Sequence, residues 1–375
     1  MRRAILAAGS VLLIAACSSP ADPAPPPAPS TTSTAGTPPA TTSAAPTTEP
    51  PPEPITLLFT GDMLPSDDLQ AQAGRNAGGQ GFDFGPMLAN VAPLITAADW
   101  AICHQETPLS DDNVGLAGYP QFNAPFQLAE AERAAGYDAC STASNHTVDL
   151  GMDGIVATLG TLDRAGIRHA GSARSAAEHA QPTVYDVRGV SIGHLSYTYA
   201  LNGLPSPAPW AVNLIDPGQI RADAATVTAA GAEFVVVSLH FGDEHISTPS
   251  AYQEQVVDAV LESPDVDLVV GHHAHVVQPI ERRPDGRWVL FGLGNFLAQQ
   301  AVYGADLTPP HRDGVIVEVS VAAAPDGTYG VVQVGYVPTF VAAPSDVIQI
   351  APPFSRARTE AALLARDAPL VDLTP

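Results

Sequence analysis

The chain has 375 residues, 39 Asp plus Glu against 16 basic residues, and a formal charge of −23. Every one of the 16 basic residues is Arg, leaving no basic face to neutralise phosphates along a nucleic acid, so nucleic-acid binding is excluded. With 45% apolar and only 15% charged residues the chain has ample material for a large core, which excludes disorder of the whole.

Met1-Arg2-Arg3 and the apolar run Ala4 to Ala16 read as the charged and apolar regions of a signal peptide, too short to span a bilayer permanently. Ile14-Ala15-Ala16-Cys17 resembles the lipobox of bacterial lipoproteins. That resemblance implies a signal segment over residues 1–17, lipidation at Cys17, export, and a lipid anchor in the outer face of the cell membrane. The alternative is an ordinary signal peptide with an incidental Cys. Residues 18–54 are almost wholly Pro, Ala, Thr and Ser; they cannot build a core and read as an extended stalk. Only Cys103 and Cys140 remain to pair with each other, and a disulfide and two buried thiols are both open.

Residues 55–375 read as one large α/β domain. Ile55 to Thr60 is a buried strand ending at Gly61-Asp62, Ala97 to Cys103 a second, and Tyr137 to Ala143 a third. A helix over Gln127 to Ala135 ends at Gly136, and Asp153 to Ala165 carries apolar residues at helical spacing up to Gly166. Pro182 to Val187 and Val190 to Tyr197 form a hairpin turned at Arg188-Gly189. Strands follow at Glu233 to Leu239, Val266 to Gly271 and Trp288 to Leu293, with a helix at Tyr252 to Leu261. Gly314 to Val321 and Tyr329 to Val337 alternate as antiparallel strands do.

Polar residues capable of metal ligation or proton transfer stand where these apolar strands end, the place where sites assemble in open α/β sheets. They are Asp62, Glu106, Asn145-His146, His240 and His272-His273-Ala274-His275. If the backbone stays extended, His273 and His275 project to the same side. Each residue alone has a plain structural reading, as a turn cap, a solvated carboxylate or a buried imidazole. Together they argue for a divalent metal site with an acid/base histidine.

The ordered series Gly61-Asp62, Glu106, Ser144-Asn145-His146 with Asp149 and Gly151, His240-Phe241-Gly242-Asp243-Glu244, Gly271-His272-His273-Ala274-His275-Val276 and Leu293-Gly294-Asn295-Phe296 resembles the CapA family. These are poly-γ-glutamate capsule biosynthesis proteins related in fold to calcineurin-like metallophosphoesterases. The resemblance implies a four-layer α/β/β/α sandwich holding one or two divalent ions (Mn, Fe, Zn or Co). It implies Asp62, Glu106, Asn145, His240, His273 and His275 as ligands, His146 as general acid, and His272, Asn295 and Arg312 as possible additions. The chain departs from the phosphoesterase pattern in two places, with Leu64 where Asp-x-His expects a His and Glu106 for a bridging Asp, and from the CapA pattern at Ser144, which replaces an Asn. One imidazole is therefore missing, a complete two-metal centre is in question, and His104 is a candidate substitute.

Three functions compete on this reading. The first is a surface-tethered metal-dependent hydrolase with phosphoester-type chemistry on a cell-envelope or extracellular substrate. The second is a non-catalytic accessory protein for assembly or export of an anionic polymer. The third is a metal-dependent amide hydrolase. Oligomeric state is left open.

Overall fold

The computed structural model describes residues 53–298 and 310–375. Cys17 and nearly all of the stalk lie outside the described residues. The first half of the domain runs β1 (Ile55–Leu64), α1 (Asp67–Asn76), α2 (Gly85–Leu88), α3 (Ala92–Thr96), β2 (Trp100–Gln105), α4 (Gln127–Ala135), β3 (Ala139–Ser141), α5 (Gly151–Ala165) and β4 (Arg168–Ala170). The second half begins with α6 (Ala176–His179), β5 (Val184–Val187), β6 (Val190–Thr198), α7 (Pro217–Ala229), β7 (Phe234–His240), α8 (Ala251–Val260), β8 (Leu268–His272), β9 (Ile280–Arg282) and β10 (Trp288–Leu290). It closes with β11 (Asn295–Ala298), β12 (Asp313–Ala323), β13 (Tyr329–Ala342), β14 (Val347–Ile350), α9 (Pro353–Leu363) and β15 (Val371–Asp372).

The strands form two sheets. The larger has nine strands in the order β14-β13-β12-β1-β2-β3-β4, with β11 beside β1 and β15 beside β13; the smaller runs β5-β6-β7-β8-β10-β9. Strand side chains alternate between faces, and that alternation builds three cores. Leu57 and Phe59 of β1 meet Val236 of β7 and Val270 of β8 between the sheets. Leu58 faces the other way, into a core with Leu69, Leu128, Ile155 and Leu159 of the helices on the large sheet. Val235, Val237 and Val269 pack against Ile220, Val227 and Val257 of α7 and α8 on the small sheet. The result is the four-layer α/β/β/α sandwich expected from the sequence. Among the described residues no helix is long and apolar enough to cross a membrane.

Two glycines set the strand ends beside the site. A Cβ on Gly61 would stand 2.0 Å from the Gly294 carbonyl oxygen, and one on Gly271 2.0 Å from that of Phe291. Only glycine permits these approaches, and the next residues are Asp62 and His272. Cys103 and Cys140 lie opposite each other on β2 and β3 and are joined by a disulfide, which settles the alternative the sequence left open.

Several strand expectations shift: β1 runs past Asp62 to Leu64, the strand expected over Tyr137 to Ala143 is only β3 at Ala139–Ser141, and β13 runs past Val337 to Ala342. The second strand starts at Trp100 rather than Ala97, because α3 runs to Thr96 and residues 97–99 make the turn. The strand expected to reach Leu293 stops at Leu290, and the chain then crosses to the large sheet, where Asn295 pairs with Asp62.

Candidate metal centre

Parallel pairing brings the ends of β1, β2, β7 and β8 to one edge of the sandwich, where Asp62 lies directly opposite His104 on β2 and His240 opposite His272 on β8. Two buried triads result. The donor atoms of Asp62, His104 and His272 lie within 4.8 Å of one another, as do those of Glu106, His273 and His275. Leu64, where the phosphoesterase pattern expects a histidine, instead packs with Phe122 and Ala298. His104 on the adjacent strand brings an imidazole to Asp62 in its stead.

Asp62 accepts a hydrogen bond from the His273 backbone N–H (3.2 Å), and its oxygens lie 3.3 Å from His272 Nδ1 and 3.2 Å from His275 Nδ1. Burial opposes its ionisation, but His272 and His275 outweigh that and hold its pKa well below the usual carboxylate range. Glu106 is equally buried, and desolvation pushes its pKa well up, with His275, 3.6 Å away, only partly opposing. His275 shows the converse: burial disfavours its charge, yet Glu106 and Asp62 raise its pKa to about 10. Burial and the neighbouring His275 lower His273 to about 3, and burial with surrounding imidazoles also depresses His104 and His240. The His104 ring stacks on His272 with centroids 4.0 Å apart, and its Nε2 lies 2.9 Å from His240 Nδ1.

Asn145 Oδ1 lies 2.8 Å from His240 Nε2, and Asn295 Oδ1 2.9 Å from His275 Nδ1. Ser144, which replaces the expected Asn, donates its hydroxyl to the Glu106 carbonyl and accepts from the His146 N–H at 3.0 Å, joining two motifs through the main chain. His146 sits beside the triads with Nδ1 2.8 Å from Asp149 and its ring edge-on to Phe122.

The assumption of an extended backbone after β8 fails. The strand ends at His272, while His273 (φ 91°) and His275 (φ 55°) are in the left-handed region. Such backbone is costly for residues with a Cβ and concentrates at functional sites. Here it turns the segment so that both imidazoles still reach Glu106. Both members of the His272/His273 pair face the centre, one in each triad. Arg312 is buried, with its guanidinium donating to the Val341 carbonyl (3.0 Å) and lying 3.6 Å from Asp346. A buried cation needs such a counter-charge.

Sequence reasoning missed two residues. Asn202 (φ 51°) accepts from Asn145 Nδ2 at 3.2 Å and lies 3.5 Å from His146 Nδ1; in the sequence it reads only as an Asn-Gly turn. The half-exposed Tyr199 ring stands 4.6 Å from that of His273, and no pattern in the sequence singles it out.

The residues fit divalent metal. Asp62 Oδ1, both Glu106 oxygens, His272 Nδ1 and His273 Nδ1 are buried without a hydrogen-bond partner. Each such atom costs about 1–3 kcal/mol if left unsatisfied. Imidazoles set beside carboxylates are the donor set of a hard-to-borderline ion.

Fold and site thus define a two-sheet α/β protein with a buried histidine–carboxylate centre suited to divalent metal. Residues 56–300 match the bacterial capsule synthesis protein PGA_cap family, and the chain belongs to that family. Its relatives include the PGA biosynthesis protein CapA of Bacillus subtilis (strain 168), 27% identical over 223 residues, covering 56% of this chain and 56% of that protein. The capsule biosynthesis protein CapA of Bacillus anthracis is 24% identical over 263 residues, covering 66% and 61%. The probable polyglutamine synthesis accessory protein Rv0574c of Mycobacterium tuberculosis (strain ATCC 25618 / H37Rv) is 29% identical over 176 residues, covering 42% and 44%. The matches thus span about half the length of these relatives. Among solved structures, the 5'-nucleotidase precursor from Thermus thermophilus superposes with a TM-score of 0.47 at 15% identity, covering 83% of this chain and 58% of that one. The calcineurin-like phosphoesterase YfkN of Bacillus subtilis gives 0.44 at 14%, covering 82% and 96%.

Proposed function

We propose that this capsule-family protein is a metal-dependent hydrolase, exported and held by a lipid on Cys17 at the outer face of the cell membrane, acting with phosphoester-type chemistry on a cell-envelope or extracellular substrate. The observation that carries the reading is the pair of adjoining triads, Asp62–His104–His272 and Glu106–His273–His275, with His146 and Asp149 beside them. These triads, with His240 and Asn145, would hold one or two ions. When bound, such an ion supplies Lewis acidity and makes water acidic enough to react near neutral pH.

The chain's own residues do the rest. Asp149 accepts from His146 Nδ1–H, fixing the tautomer and leaving Nε2 to hold a proton and hand it to a departing group. Asn295 orients His275, and Ser144 ties the His146 loop to the Glu106 segment.

The test is elemental mass spectrometry on protein purified without chelators or a His tag, alongside His273→Ala, followed by assays on phosphodiesters and γ-glutamyl amides. One or two equivalents of Mn, Fe, Zn or Co, lost in the variant, with phosphodiester turnover, is the expected result. Turnover of amides alone would move the reading to an amide hydrolase. No metal after reconstitution would leave a non-catalytic accessory of polymer assembly or export, the second reading, which the name of the Mycobacterium tuberculosis relative favours. Loss of the protein from the membrane fraction in Cys17→Ser tests the anchor.

A further inference from the structure

A third cluster of metal-capable side chains lies outside the centre, on the helix-covered face of the large sheet: Cys103, Glu132 and Cys140, with donor atoms within 4.8 Å of one another. α4 turns Leu128, Ala129, Ala131 and Ala135 into the core, and Glu132 stands on that same face, where the helical pattern demands an apolar residue. It is 0% exposed, and neither carboxylate oxygen has a hydrogen-bond partner. Burial alone raises its pKa to about 8. An acid left in an apolar core without a partner breaks a local rule of folding, and such breaches mark functional positions. What it faces is the pair of sulfurs.

We propose that Cys103, Cys140 and Glu132 form a redox-gated site for a soft divalent ion of the zinc type, closed by the disulfide under oxidising conditions and available as a two-sulfur, one-oxygen donor set once reduced. Reduction by a dithiol delivers two electrons to the S–S bond, which breaks to two thiols while the reductant closes to its own disulfide. The entering ion displaces both thiol protons and the carboxyl proton to solvent. Two zinc–sulfur bonds of about 2.3 Å at a tetrahedral angle set the sulfurs about 3.8 Å apart. Residues paired across neighbouring strands, here with Cα atoms 4.4 Å apart, meet that with little movement. Either link ties β2 to β3 one residue before His104 and Ser141, whose side chains lie 2.8 Å apart at the edge of the metal centre.

The test reduces the full chain, carrying Cys17→Ser, with a phosphine and titrates it with cadmium, reading the thiolate-to-cadmium charge-transfer band. That band reports sulfur ligation alone, so ions in the histidine centre do not contribute. One equivalent in the reduced protein and none in the oxidised protein is expected. Glu132→Gln should weaken the affinity by no less than the tenfold typical of losing a residue that only orients a ligand. If Glu132→Gln fails to fold, Glu132→Leu, which suits the apolar face, carries the same expectation. If reduction unfolds the chain, recovery of near-ultraviolet circular dichroism with cadmium supports the site. No band, no recovery, or an affinity indifferent to Glu132 would overturn it and leave a structural disulfide beside a neutral acid.

Discussion

The two sheets bring opposite chemistries to their shared edge. The nine-stranded sheet and the loops after its strands supply both carboxylates of the triads, the amides of Asn145 and Asn295, and two imidazoles, His104 and His146. The six-stranded sheet and its loops supply His240, His272, His273 and His275. Neither set is tenable alone in a buried place: carboxylates without cations protonate, and crowded imidazoles stay neutral. Brought together they polarise each other, as the rise of His275 to about 10 and the depression of Asp62 show. The centre is therefore a property of the interface between sheets, and each half can be tested by removing its own contribution.

The largest effect is expected from the carboxylate half. Asp62→Ala should abolish bound transition metal and lower turnover by more than the ten- to hundredfold seen when only ligand orientation is lost. Elemental analysis of the folded variant checks this, and full metal retention would break the division of labour between the sheets. Next comes His146→Ala, which should keep its metal but lose about 10²–10⁴ in turnover, the usual share of an acid/base group. Asp149→Asn should show a smaller loss of turnover with metal retained, since it acts on the histidine only through a hydrogen bond.

A smaller effect separates the sheets by stability. Cys103→Ala with Cys140→Ala opens the large sheet's staple and should cost about 2–4 kcal/mol in urea unfolding. The smallest concerns acid, and it sharpens the contrast from the imidazole side. His194 of β6 is buried against Ser238, and burial lowers its pKa from 6.5 to about 3. Between those values the unfolded chain binds a proton that the folded chain refuses, so this stability is present above pH 6.5 and lost as pH falls toward 3. By pH 5 the loss is about 2 kcal/mol. His194→Gln should flatten that limb of the stability profile by one proton, and an unchanged slope would mean that other groups govern it.

Much of this was legible because strand and helix signals are local. Helix α4 falls on Gln127–Ala135 as expected and ends at Gly136, whose φ of 112° suits glycine. Helices α1, α7 and α9 went unread along with the short α2, α3 and α6; the buried faces of the longer three are sparse, with Leu69, Gln70 and Ala73 in α1, Ile220, Ala224 and Val227 in α7, and Ser355, Thr359 and Leu363 in α9. The donors themselves were legible, each at the end of an apolar run. Their grouping was not, because it depends on register between strands far apart in sequence, as with Asp62 and His104 or His240 and His272.

By itself the sequence determined the α/β class, the strand ends and the set of residues able to hold metal, since apolar runs and turn residues act over a few positions. The tertiary structure alone decided that His104 brings an imidazole to Asp62 where Leu64 brings none, and that His272 and His273 enter different triads. It also decided that Arg312 is tied to Asp346, and that Glu132 meets a disulfide. Those outcomes rest on pairings between distant segments and on left-handed turns, whose energies are set by packing rather than by neighbouring residues.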